Sequence, residues 1–83
     1  MADVKVGKIT HYFDKIGVAV VELVDTLKTG DQIRIGGVGK DFQMTVSSMQ
    51  VEHEQIEEAK KGNTIGMKVD QSVRVGDEVF KLI

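Results

Sequence analysis

The sequence predicts an all-β domain, a sandwich or small barrel of about six short strands. Three observations predict it. Val and Ile alternate with polar residues over runs of four to ten positions, turn signals recur every 8–12 residues, and one turn frame occurs twice, at Leu27–Lys28–Thr29–Gly30–Asp31 and at Val73–Arg74–Val75–Gly76–Asp77. In that frame the glycine takes the positive φ of a tight turn, the aspartate bonds the turn backbone, and an alternating strand follows.

The elements read as follows. Val4 to Phe13 alternates with a change of phase at Gly7–Lys8, the mark of a β-bulge that bends a strand. Asp14 to Gly17 is a turn, and Val18 to Val24 is a strongly β-branched second strand. Gln32 to Ile35 alternates cleanly and ends at a glycine-rich hairpin tip, residues 36–39. Asp41 to Glu52 is the longest run. Phe42, Met44 and Val46 share one side, and Met49 and Val51 rejoin it after a slip at Ser47–Ser48, read as a bulge or a bend. Ile56 and Ala59, three apart among Glu and Lys, predict one short helical turn near residues 54–61, capped by Gly62. Thr64 to Val69 and Glu78 to Ile83 supply the last two strands.

Size and composition narrow the function classes. Eighty-three residues, 1–83, make one domain whose core is small and must be filled by Val, Ile, Leu and Met, because there are only three Phe, one Tyr and no Trp. With no cysteine, a disulfide framework and a thiolate metal site are both excluded. No apolar run approaches the roughly 20 residues of a membrane span and the N-terminus lacks a signal-peptide pattern, so a cytoplasmic protein with no membrane partner is expected. A net charge of −2, with charges of both signs, makes no global case for nucleic acid.

The quoted residues resemble a known family. Val6–Gly7–Lys8–Ile9–Thr10, the Leu27-x-x-Gly30–Asp31-x-Ile33 turn, Met49–Gln50, Ala59-x-x-Gly62-x-x-x-Gly66 and Val73-x-x-Gly76–Asp77-x-Val79 follow the order seen in domain two of translational GTPases such as elongation factor Tu and initiation factor two. The chain is similar, comparably, to the C-terminal barrel of collagenase-like peptidases. The likeness runs from about Lys5 to Leu82 and implies a small closed six-stranded Greek-key barrel. It also implies a non-catalytic binding module that binds no nucleotide and docks RNA, tRNA or a translation-related partner. The alternative is an accessory module that contacts protein beside an enzyme such as a collagenase-like peptidase.

Patterns that would carry chemistry are incomplete. Gly36–Gly37–Val38–Gly39–Lys40 lacks the hydroxyl residue a phosphate loop needs after its lysine, since Asp41 follows. His53–Glu54–Gln55–Ile56–Glu57 has glutamate where a zinc helix needs its second histidine. Ser47 or Ser48 with His53 lacks an orienting carboxylate and an oxyanion hole. Asp14 and Asp25 read as turn residues. No cofactor, no metal site and no enzyme activity are therefore expected.

The one surface with binding character is the first strand. With the bulge at Gly7, the residues Lys8, Thr10 and Tyr12 share a face, flanked by Lys5 and Lys15. An aromatic among lysines is how a single-stranded RNA platform stacks bases; the alternative is an ordinary solvated strand whose Tyr12 covers a seam of the barrel. His11 is expected at the edge of the core, on the face of Ile9 and Phe13.

Overall fold

In the computed structural model, which describes residues 3–37, 40–52 and 54–82, every regular element is a strand. In chain order these are β1 (Asp3–Phe13), β2 (Val18–Leu23), β3 (Leu27–Lys28), β4 (Gln32–Gly37), β5 (Lys40–Thr45), β6 (Met49–Val51), β7 (Glu54–Ile56), β8 (Glu58–Ala59), β9 (Thr64–Lys68) and β10 (Glu78–Leu82).

Eight strands form one antiparallel sheet in the order β5-β4-β10-β1-β2-β9-β6-β7, and β3 pairs with β8 in a second, two-stranded sheet. The large sheet does not close on itself by pairing its end strands β5 and β7, so the closed six-stranded barrel expected above is not what these ladders form. The chain between β3 and β4 lies against both ends of the sheet instead. Thr29 N–H donates to the Glu57 carbonyl at 2.9 Å, while Gly30 N–H donates to the Val46 carbonyl at 2.8 Å.

The alternating apolar residues meet in one core. Val6, Ile9, Val21, Ile33, Met49, Met67 and Val79 are wholly inaccessible, and no polar or charged residue is buried with them among the described residues. The expected side of the long run is correct: Met44, Val46 and Met49 are buried, and Phe42 and Val51 pack against the core from partly buried positions. The run is interrupted at Ser47–Ser48, which lie between the end of β5 and the start of β6.

Two expectations are corrected. Residues 54–61 form no helical turn; they form β7, a bend at Glu57 and β8. Ile56 pairs with Met49, and Ala59 pairs with Leu27. A segment this short gains little as a helix, whereas strand pairing bonds its backbone to two neighbours and turns Ala59 into the core. The phase change in β1 is also two slips rather than one. β1 carries an extra residue at Val6 against β10 and another at Thr10 against β2.

The repeated turn frame forms as expected. Gly30 and Gly76 have φ of 90° and 98°. Lys28 N–H donates to Asp31 Oδ2 at 2.9 Å, and Arg74 N–H donates to Asp77 Oδ2 at 3.0 Å. A third copy stands at Lys60–Asn63, where Gly62 has φ of 92° and Lys60 N–H donates to Asn63 Oδ1 at 2.9 Å. Gly62 is thus the positive-φ residue of a turn between strands and caps no helix.

Candidate binding surface

The slip at Thr10 decides which side chains share a face of β1. In a regular strand Lys8, Thr10 and Tyr12 would point the same way. With Thr10 as the inserted residue, Ile9 pairs with Val21, His11 with Val20 and Tyr12 with Ala19. Tyr12 packs against the core from a partly buried position. His11 and Phe13 turn outward and lie against each other, ring centroids 5.8 Å apart at 34°. Tyr12 thus covers the core rather than standing free as a stacking platform, whereas His11 and Phe13, expected on the core face with Ile9, form an exposed ring pair.

The five residues expected to make contact are therefore not brought together as one platform. Lys5 Nζ lies 2.6 Å from Glu78 Oε2 across the β1–β10 ladder. Lys8 is paired in register with Glu78 on one side and Glu22 on the other. Thr10 Oγ1 donates to the Val20 carbonyl at 3.4 Å. Lys15 sits in the exposed turn that joins β1 to β2, a turn held by the N–H groups of Ile16 and Gly17 donating to the Phe13 carbonyl at 3.3 and 2.9 Å.

Other cations are similarly engaged. Arg34 bonds Asp3 at 2.9 Å and Asp41 at 3.3 Å and lies 4.5 Å over the Phe80 ring. Lys81 lies 3.5 Å from Asp31, and Lys28 lies 3.7 Å from Glu58. The Glu78 carboxyl is held below its ordinary range, first by its hydrogen bond to Lys5, then by the charge of Lys5, and more weakly by Lys8. A lysine row alternating with carboxylates presents little net positive potential to a phosphate backbone.

What stands out is apolar. Phe13 and Ile16, at the tip of the β1–β2 hairpin, remain 48% and 64% exposed, and Val75, in the turn beside β1, remains 68% exposed. Gly76 N–H donates to the Ile9 carbonyl at 2.9 Å, which places that turn along the edge of β1. The alternation of β1 could not reveal this, because an inserted residue reverses every side chain beyond it.

Two shallow basins were not foreseen. One, of about 580 Å³, is lined by Arg34, Gly37, Arg74, Asp77 and Phe80, but the Asp77 carboxylate fills the space against Gly37 and bonds its own turn. The other, of about 380 Å³, lies between Thr29, Ser47, Ser48, Gln55 and Glu57. Its Ser48 hydroxyl accepts from the Gln55 amide at 3.3 Å. His53 and Gly39 lie outside the described residues, so the Ser–His, zinc-helix and phosphate-loop patterns that include them have no geometry here. Asp25 bonds the Thr26 N–H at 2.8 Å, in keeping with a turn role. Among the described residues no three His, Asp or Glu side chains are grouped to hold a metal ion, and no helix is long and apolar enough to cross a membrane.

No protein-family profile matches the chain. An uncharacterized protease of Methanocaldococcus jannaschii is 39% identical over 82 residues, a match that takes in 95% of this chain and 20% of the relative. The chain thus spans about a fifth of the length of the curated relative it matches. Two crystal structures of the C-terminal domain of a Geobacillus thermoleovorans U32 peptidase share its fold, one of them a selenomethionine variant. Their TM-scores are 0.86 and 0.88 at 17% identity, covering 90% and 94% of this chain and 95% and 91% of theirs. Of the two resemblances read from the turn pattern, these findings agree with the collagenase-like peptidase barrel. They give the translation-factor reading no support.

Proposed function

We propose that this chain is a non-catalytic accessory module of a U32-type, collagenase-like peptidase, acting by docking rather than by chemistry. One observation carries the reading. The 39% identity to a protease extends over 95% of this chain yet occupies only 20% of that protein, as expected when one module of a larger peptidase is matched from end to end. The fold shared with the C-terminal domain of a second peptidase supports the same reading. So does the surface, where Lys5 and Lys8 lie beside carboxylates of the neighbouring strands and Phe13 and Ile16 are exposed at the hairpin tip.

In this reading the outer side of the β1–β2 hairpin, with His11, Phe13 and Ile16 and the flanking Lys8 and Lys15, is the contact face toward the peptidase. A partner that buries Phe13 and Ile16 removes their apolar area from water, worth about 1.5–3 kcal/mol for each fully buried side chain. RNA is the competing ligand, and salt separates the two, because phosphate contacts weaken steeply with salt while apolar burial does not.

The test uses the M. jannaschii protease shortened by the segment this chain matches. Calorimetric titration of the chain into that protein is expected to give binding that persists at high salt. The reading is overturned if no heat is released and cleavage of a denatured-collagen substrate is unchanged by the added chain, or if tRNA binds with strong salt dependence instead.

A further inference from the structure

We propose that two copies of this chain join edge to edge through β5, pairing that strand antiparallel with its own copy about a twofold axis at Gln43. The two ends of the eight-stranded sheet differ. β7 is three residues long and begins with a glutamate, which is how native sheets blunt an edge. β5 is six residues long, and only β4 pairs with it among the described residues.

The open side of β5 can be read from the ladder. Val46 N–H donates to the Asp31 carbonyl at 2.9 Å, extending the β4–β5 register by one step. Antiparallel residues alternate in the direction their main-chain groups face. The even-numbered residues of β5 therefore bond β4, and the N–H and C=O groups of Asp41, Gln43 and Thr45 face away from it.

That edge is complementary to itself. With Gln43 opposite the second copy's Gln43, Asp41 stands opposite Thr45 and Thr45 opposite Asp41, so each outward residue meets another whose main chain also faces outward. The exposed side chains agree with this register. Arg34 bonds Asp41 at 3.3 Å and offsets its charge. The Thr45 hydroxyl accepts from the Gln32 amide at 2.7 Å, which leaves its own proton to donate to the second copy's Asp41. On the inner face the half-buried Phe42 meets Met44. No like charges stand opposite each other, the pairing that destabilises sheet contacts. A twofold contact of this kind is isologous, the commonest form of homodimer. Another protein's strand would have to match this register by chance.

Sedimentation velocity and light scattering on the full chain, from about 10 μM to about 1 mM, test the proposal. The mass is expected to rise from 9.1 kDa toward twice that value. Gln43→Pro removes an outward N–H that β4 does not use, so the fold, followed by circular dichroism, is kept while the dimer is lost. Gln43→Lys sets like charges at the axis and is expected to weaken association about two- to fivefold, an effect that salt relieves. Amide shifts that depend on concentration are expected at Asp41, Gln43 and Thr45. A monomer at every concentration overturns the proposal, as does a dimer indifferent to both Gln43 variants or shifts confined to other strands.

Discussion

Gly7 lies so close to Val21 that a β-carbon added to it would stand 2.5 Å from the valine Cγ1 and 3.0 Å from the Glu22 carbonyl oxygen. The contact sits where β1 is paired on both sides, with Leu23 of β2 and Val79 of β10. Both neighbours are fixed by ladder bonds and Val21 is wholly buried, so little can give way. Gly7→Ala is expected to destabilise the fold by about 1–3 kcal/mol through overpacking. The measurement is the urea midpoint at constant m-value, and Val21→Ala in the same chain should recover part of the loss. A midpoint unchanged by Gly7→Ala would mean that the strand relaxes away from Val21.

Gly76 presents the opposite case. A β-carbon there would meet nothing within 4 Å, but the backbone stands at φ of 98°. Gly76→Ala should therefore cost about 1–3 kcal/mol through conformation alone, and no cavity-making partner mutation should rescue it. Asp77→Ala removes the acceptor for Arg74 N–H and is expected to cost about 0.5–1.5 kcal/mol. The equivalent change at Asn63 should cost a similar amount, whereas Asn63→Asp should be near neutral because the third turn uses the same oxygen. Thermal unfolding of the four variants decides it, and unequal behaviour of Asp77 and Asn63 would show that the turns are not equivalent.

These turns show what the chain reveals before folding. The two Gly–Asp frames are local: spacing and residue type settle a turn held by its own backbone and one carboxylate. The third frame hides behind asparagine and behind the three-residue spacing of Ile56 and Ala59, which mimics a helix. Strand pairing overrides that local hint, since Ala59 reaches the core by meeting Leu27, distant in sequence. The binding surface is hidden for a similar reason. The insertion at Thr10 is set by the register of β2, and nothing within β1 marks it. The buried Val, Ile and Met residues of β2, β4, β5 and β9 are legible because burial there needs only alternation.

Glu78 and Lys5 make stability depend on acid pH. The folded-state pKa of Glu78 is lowered, chiefly by the hydrogen bond from Lys5, so the pair stabilises the fold above the ordinary glutamate value of about 4.3. That contribution is lost as pH falls from there through the lowered folded value. Lys5→Met should return the Glu78 titration, followed by carboxyl carbon shifts, toward its ordinary position and flatten the acid limb of the stability curve. The pair is exposed, so added salt should act in the same direction. A Glu78 titration unmoved by Lys5→Met would refute the assignment.

Phe13 and Ile16 separate docking from folding. Ile16 is 64% exposed and Phe13 48%, so Ile16→Ser is expected to change stability by less than about 0.5 kcal/mol and Phe13→Ser by no more than about 1 kcal/mol. Tyr12→Ser, one residue from Phe13 but packed on the core, should cost considerably more. If the hairpin tip is the contact face toward a peptidase, the two exposed changes should each weaken association about tenfold or more at any salt concentration. Lys8→Gln and Lys15→Gln should matter only at low salt. Because the exposed variants keep the fold, lost binding in the calorimeter reports the interface directly. Undiminished binding in the Phe13→Ser, Ile16→Ser double variant would move the interface off the hairpin while leaving the accessory role itself standing.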